Sequence, residues 1–310
     1  MRIPVPIACL AVAALAAAAP QRTEAMRASY LYELAAITGP LSTSAATLSY
    51  DPFHQELYVV VAGQVRVYNA VGMEVYTWPD DSELGEVWAV APLENGDVVT
   101  LRYMNSQPTL VRCNFRGELV GEIKVAALSG AFAGDFRPGQ MTYAKGKLYL
   151  ADTRTKMVVI VDLALGSASP VDLAAILDKD EKTREATIDG MTVDGHGNLV
   201  VTMAAAFKVF VIEPDGTARS FGRPGSAPGK FGVVKDVVVD ETGHFYVSDR
   251  LKHCILVFDQ DFNFLGEFGY RGDRPGNLVA PGSMVFADGK LYVSQMGRRG
   301  VAVFQVAHDR

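Results

Sequence analysis

Residues Lys235–Gly272 read KDVVVDETGHFYVSDRLKHCILVFDQDFNFLGEFGYRG. The stretch contains short apolar runs separated by turn formers. Val237 to Val239 is closed by Glu241-Thr242-Gly243, and Phe245 to Val247 is broken at Ser248-Asp249-Arg250. Ile255 to Phe258 turns at Asp259 to Asn263, and Phe264 to Phe268 ends at Gly269. Each run is strand-sized and rich in β-branched or aromatic residues. A lone four-stranded meander of this length has too little core to be stable, so it must stack on copies of itself.

Copies exist. The second strand and its preceding turn recur as Gln55-Glu56-Leu57-Tyr58-Val59, Gly96-Asp97-Val98-Val99-Thr100 and Gly146-Lys147-Leu148-Tyr149-Leu150. They return as Gly197-Asn198-Leu199-Val200-Val201, Gly243-His244-Phe245-Tyr246-Val247 and Gly289-Lys290-Leu291-Tyr292-Val293. The spacing of roughly 41 to 51 residues is that of propeller blades. The third repeat is irregular. After Gly166, the segment Pro170 to Leu177 reads as a short helix in place of a fourth strand. The sixth repeat stops at Arg310 without a fourth strand, whereas Ser29 to Thr38 is strand-like and precedes the first repeat. The expected fold is therefore all-β: a six-bladed β-propeller whose N-terminal strand completes the last blade, which removes two open sheet edges.

The chain has 310 residues, 49% hydrophobic and 21% charged, with a formal charge of −6. A mildly acidic chain with no basic cluster is not suited to gripping phosphate backbones, so no nucleic-acid partner is expected. Met1-Arg2, the apolar run Ile3 to Ala19 and the small-residue segment after it read as an export signal, with cleavage after Ala18, Ala19 or Ala25. An uncleaved anchor is the alternative. Residues 1–25 are thus assigned as signal peptide and 26–310 as one propeller domain. The location is expected to be periplasmic, cell-surface or secreted, with no membrane span after cleavage. Cys113 and Cys254 fall on or beside third strands of different repeats and read as separate buried thiols.

The fifth and sixth repeats resemble NHL repeats. Asp240 to Asp249 follows the pattern of an acidic turn, a glycine and an aromatic strand ending in Asp, and Lys252-His253-Cys254-Ile255 takes the loop position after it. Phe221-Gly222-Arg223-Pro224-Gly225 and Phe268-Gly269-Tyr270-Arg271-Gly272 match the ends of such repeats. In motif the resemblance is strong from about Phe221 to Phe304. It implies a six-bladed propeller, and its members bind proteins, RNA or small ligands, or catalyse, so it implies no single function.

In such a ring the second-to-third loops and the inter-blade crossings surround one mouth of the central channel, the default site. The candidate ligand-binding residues there are Arg102, Tyr103, Asp152, Arg154, Asp249, Arg250, Gln295 and Arg298. Arg137, Asp189, Lys235 and Asp236 lie on or near crossings. The two aspartates recur at one repeat position, which also fits caps on their own loops' amides. The arginines carry most of the expectation, as bidentate donors to a polar or anionic ligand. His54, His196 and His244 fall in turns of the opposite face, His308 lies near the terminus, and only His253 belongs to a mouth loop. No catalytic residue, metal ligand or cofactor is assigned. The charge run Asp178 to Glu185 reads as a solvated helix end and loop. The expected function is an exported binding or scaffold module, more a non-enzyme than an enzyme, recognising a protein partner or a small polar ligand at the mouth. The alternative is a metal-dependent lactonase or lyase-like enzyme at the same mouth.

Overall fold

The recurring strand-and-turn units fold, in the computed structural model, into six antiparallel sheets: five have four strands, and the last has five because the N-terminal segment adds Ala25–Ala36 and the two-residue strand Gly39–Pro40. The described residues are 25–36, 39–40, 46–79, 83–125, 128, 134–297 and 300–309. The expected export signal lies almost wholly outside them. Among the described residues no helix is long and apolar enough to cross a membrane.

The inner strands, in blade order, are Thr47–Asp51, Glu86–Pro92, Gln140–Ala144, Gly190–Val193, Val234–Val239 and Met284–Ala287. All six line one central cavity of about 1030 Å³. Second and third strands are sandwiched between neighbouring blades, so they are buried on both faces. Leu199–Met203, Phe245–Asp249 and Cys254–Phe258 are buried at every position. That is why these strands read as unbroken apolar runs in place of an alternating pattern. Outer strands such as Leu119–Glu122 and Ala218–Phe221 are largely exposed.

The core is correspondingly divided. Six apolar clusters fill the six blade-to-blade interfaces, for example Ala89, Leu101, Leu148 and Leu150 between blades two and three. Hydrophobic burial between blades, not within one, holds the ring together.

The ring closes as the repeat count requires. Ala25–Ala36 pairs antiparallel with Val301–Asp309, from Ala25 opposite Asp309 to Leu34 opposite Val301. Leu34 sits 2% exposed in the cluster with Tyr292, Val301 and Val303, next to Leu48 and Leu57 of the first blade. The closing strand therefore also packs across the seam. Residues 37 and 38, the end of the expected strand, lie outside the described residues.

One reading of the third repeat is corrected. A fourth strand is present: Ser167–Asp172 pairs along its whole length with Met157–Asp162. The helical pattern begins only at α1 (Leu173–Leu177), where the Asp172 side chain accepts from the Ala175 amide. Pro170 is compatible with a strand here because this is the blade's outer edge. The charge run forms a second helix, α2 (Glu181–Glu185), capped by Asp180. It is more than a solvated end. Lys156, 3% exposed, donates to Asp178 Oδ1 at 2.7 Å and to the carbonyls of Thr183 and Arg184 at 2.7 and 3.0 Å. Cys113 and Cys254 are both buried and free.

Candidate functional site

The start of an inner strand and the end of its neighbour point at the same end of the channel. At blades four and five this brings together Asp189, Lys235, Asp236 and Arg250, all on the wall of the central cavity. Asp189 precedes the inner strand of blade four. Its Oδ2 accepts from the Ala204 amide at 2.8 Å, and Oδ1 carries no hydrogen bond to a described residue. Its backbone carbonyl receives Lys235 Nζ at 2.5 Å and Gln140 Nε2 at 2.6 Å. Asp236 is gripped from two blades: Val237 N donates to Oδ1 at 2.9 Å and Met284 N to Oδ2 at 2.8 Å. Its own amide donates to Ser248 Oγ at 2.9 Å.

Burial governs both carboxyls. It pushes Asp236 up to about 6, against the opposing pull of the Met284 and Val237 amides and of the Lys235 and Arg250 charges. Asp189 is raised for the same reason, with the Ala204 amide, Lys235 and Arg250 acting against the rise. Arg250 is half-buried, and its Nε is enclosed without a hydrogen-bond partner among the described residues. Its Nη2 lies 3.9 Å from where a Cβ on Gly282 would stand, which places the guanidinium beside the start of the sixth inner strand. The result is two carboxyls that hold protons above their ordinary range, set between two cations, at one end of a large cavity. Such pairing of titratable groups with shifted affinities is what acid–base chemistry requires.

The structure distributes the sequence candidates unevenly. Arg250 and Gln295 line the cavity. Gln295 is committed to structure, however. Its Oε1 accepts from Val279 N at 2.9 Å and its Nε2 donates to Glu33 Oε1 at 3.1 Å. Arg102 is 5% exposed and donates from Nε to Thr109 Oγ1 and from Nη1 to the carbonyls of Glu83 and Leu84. It ties down a loop and does not face the channel. Tyr103 donates its hydroxyl to the Pro138 carbonyl at 2.9 Å and packs on Trp88. Asp152 accepts from the amides of Arg137, Arg154 and Thr155. Asp249, fully buried, accepts from those of Gly232, Val233, Leu251 and Lys252 at 2.6 to 3.0 Å. Both aspartates are loop caps. Arg154 is exposed on the loop that Asp152 caps. Arg298 lies outside the described residues. Asp189, Lys235 and Asp236 were legible as crossing residues, but nothing in the sequence ranked them above the recurring loop Asp and Arg.

A second polar group lies on the opposite face. Asp240, His244 and His308 bring one ligand atom each to within 4.8 Å of one another, the one such group of three His, Cys, Asp or Glu side chains among the described residues.

Comparison with known proteins bears on the functional class. Residues 140–225, the third and fourth blades, match the family model described as SMP-30/Gluconolactonase/LRE-like region. Solved structures of similar fold include a gluconolactonase from Xanthomonas campestris, 14% identical, with 91% of this chain and 90% of that chain covered and a TM-score of 0.60. A luciferin-regenerating enzyme is 13% identical over 91% of this chain and 95% of that one, with a TM-score of 0.62. Virginiamycin B lyase from Staphylococcus aureus is 10% identical over 91% and 99%, with a TM-score of 0.58. At these identities the structural likeness carries the propeller fold alone. The matched range meets the stretch where the NHL resemblance is strongest only at residues 221–225. It corrects the expectation of a non-catalytic binding or scaffold module: the match favours the enzymatic alternative.

Proposed function

We propose that the protein is an exported propeller enzyme of the lactone-hydrolase or lyase type, acting on a small polar substrate at the channel mouth. One observation carries this reading: Asp189 and Asp236, both raised by burial, stand with Lys235 and Arg250 on one cavity wall. The partial family match supports the reaction class. The NHL-like wording of the fifth and sixth repeats then describes blade architecture, and the N-terminal apolar segment supports export.

In the hydrolytic version, Asp189 Oδ1 takes a proton from water as the water oxygen attacks the ring carbonyl carbon. Arg250 and Lys235 hold the oxyanion that develops on the carbonyl oxygen. The ring C–O bond then breaks, and Asp236, which keeps its proton up to about pH 6, delivers it to the leaving oxygen. The product is an open hydroxy acid. In the lyase version the same carboxylate removes a proton from carbon, and the C–O bond breaks without water. Related propellers use a metal, but this mouth does not fit one. Two carboxylates flanked by a lysine and an arginine gather no third His, Cys, Asp or Glu ligand among the described residues. No step is assigned to a metal there.

The test is turnover of a panel of small aldonolactones and cyclic esters by the full chain, followed by proton release and product mass. A gain of one water marks hydrolysis, and an unsaturated product of unchanged mass marks elimination. Asp189→Asn and Asp236→Asn are each expected to lower kcat by at least about 100-fold with the fold intact. Full activity in both variants would overturn the assignment.

A further inference from the structure

From the group on the face opposite the mouth, we infer that the protein binds a divalent transition-metal ion, of the zinc class, through Asp240, His244 and His308. This site is independent of the chemistry proposed for the mouth.

The turn of blade five supplies two of the three ligands. Asp240 Oδ1 accepts from the Thr242 amide at 2.9 Å, the Thr242 hydroxyl at 2.7 Å and the His244 amide at 2.9 Å, which fixes the carboxylate. The other oxygen, Oδ2, faces His244 Nδ1 at 3.0 Å and His308 Nε2 at 3.7 Å. Similar Asp-led turns occur elsewhere. Asp51 meets His54 Nδ1 at 2.7 Å in blade one, and Asp194 accepts from Asn198 in blade four. Those turns stop at two polar partners and read as local structure. Among the described residues, only in blade five does the neighbouring blade add another imidazole, from the strand Val301–Asp309.

The geometry suits an ion. Bonds of roughly 2.0–2.2 Å to a tetrahedral zinc place its ligand atoms about 3.3–3.6 Å apart. The observed 3.0 and 3.7 Å bracket that range, so the spacing of the ligand atoms fits the ion once a ring rotation aims the second nitrogen at it. The side chains of Asp240, His244 and His308 are 5%, 8% and 12% exposed, so the set is largely desolvated and already ordered. The imidazoles stack face to face, with centroids 3.7 Å apart and 3° between planes, so one ring must turn out of the stack before both lone pairs can reach a single ion. Tyr246 donates its hydroxyl to Asp240 Oδ2 at 3.0 Å and meets His308 Nε2 at 2.7 Å. It is placed to support the carboxylate once the ion takes the imidazole lone pair.

A recess of about 470 Å³ opens onto the group, giving an entry path, and Glu241, Asp259 and Asp261 line it. Those carboxylates supply a negative field that favours a dication over an anion. Two imidazoles and one carboxylate with an open position select zinc, nickel, cobalt or copper ahead of calcium or magnesium, which prefer oxygen sets. The ion would join the blade-five turn to the strand that carries ring closure.

The full chain, stripped with chelator and desalted, is titrated with zinc chloride alone by calorimetry. Nickel and cobalt chloride are run in parallel. One equivalent is expected to bind with micromolar or tighter affinity and to raise Tm by about 3 °C or more. Cobalt is expected to give the strong visible absorption of a low-coordinate nitrogen–oxygen site. His308→Ala is expected to weaken binding about 100-fold and abolish the Tm response. If that variant does not fold, His244→Gln gives the same comparison. Absence of a one-equivalent event in the wild-type chain overturns the site, as does equal binding by a folded His308 or His244 variant.

Discussion

Asp236 Oδ1 occupies the place where a side chain on Gly190 would begin: a Cβ there would lie 2.5 Å from that oxygen, and 2.6 Å from both Asp236 Cα and the Lys235 carbonyl. Blades four and five thus approach backbone to backbone at the mouth, and the glycine is what permits it. Because two of the three nearest atoms are backbone, no rotamer change relieves the clash. Gly190→Ala is expected to cost about 2–3 kcal/mol of stability and to displace Asp236, lowering any mouth-dependent turnover along with the urea midpoint. An alanine variant with wild-type midpoint and turnover would show that the blades separate freely.

Protonation of Asp236 sets a pH window for stability. Its affinity in the fold, pushed up to about 6 by burial, exceeds the ordinary carboxyl value of 3.8. Between about pH 4 and 6 the native state therefore binds more protons than the unfolded chain, and stability falls as pH rises through that interval. Asp189 acts in the same direction. Asp240 is shifted the other way, held well below the usual range by its bonds to His244 and Thr242 despite the opposing burial. Its contribution is lost only below about pH 4. Denaturation midpoints measured from pH 4 to 7 are expected to decline in the wild type, with a smaller slope in Asp236→Asn. A rising wild-type midpoint over pH 4 to 6 would contradict the assignment.

Adjacent residues Asp249 and Arg250 are expected to fail differently. Asp249→Ala removes a buried acceptor shared by four loop amides and is expected to cost about 3 kcal/mol or more. Arg250→Ala removes a cation from the cavity wall and leaves the loop cap intact. It is expected to keep Tm within about 2 °C of wild type and to weaken substrate capture or turnover at least 10-fold. Thermal melts paired with kcat and KM for both variants make the comparison.

Closure can be tested away from the seam. Leu34→Ala opens a cavity in the blade-six and blade-one cluster and is expected to cost about 3 kcal/mol. Trp78 lies in the blade-one and blade-two cluster. If the ring unfolds as one unit, its fluorescence midpoint will shift as far as the circular dichroism midpoint. A shift in dichroism alone would mean that blades melt separately. Removal of residues 26–40 is expected to destabilise every blade.

The sequence made the architecture legible because hairpin turns recur in it. The glycine turns Gly96, Gly146, Gly197, Gly243 and Gly289 all adopt positive φ, at 70–89°, as tight turns require. The site was harder to read. The repeat pattern places a residue at an end of the ring but does not say whether its side chain turns toward the channel or back into its own loop. Asp249 and Asp236 are both acidic and sit at the same end. Only the amides around Asp249, contributed from residues 232 and 233 across the loop, show which is a cap. His308 is hard to read because it meets Asp240 only across the packing of blades five and six, a contact far outside any local window. The segment Pro170 to Leu177 was misread because a strand and a helix abut at Asp172, and the apolar pattern of the helix masked the strand before it.

The ladder between Ala25–Ala36 and Val301–Asp309 also has a consequence in time. During synthesis the early strand must wait, unpaired, until the strand Val301–Asp309 has been made. The sixth sheet is completed by contacts of the greatest sequence separation in the molecule, the kind formed slowly because chain entropy is lost before they repay it. Until then both flanks of the seam expose strand edges to other chains. The last step of assembly is thus also the one most open to interception, and a chaperone or a second nascent copy would meet the protein there.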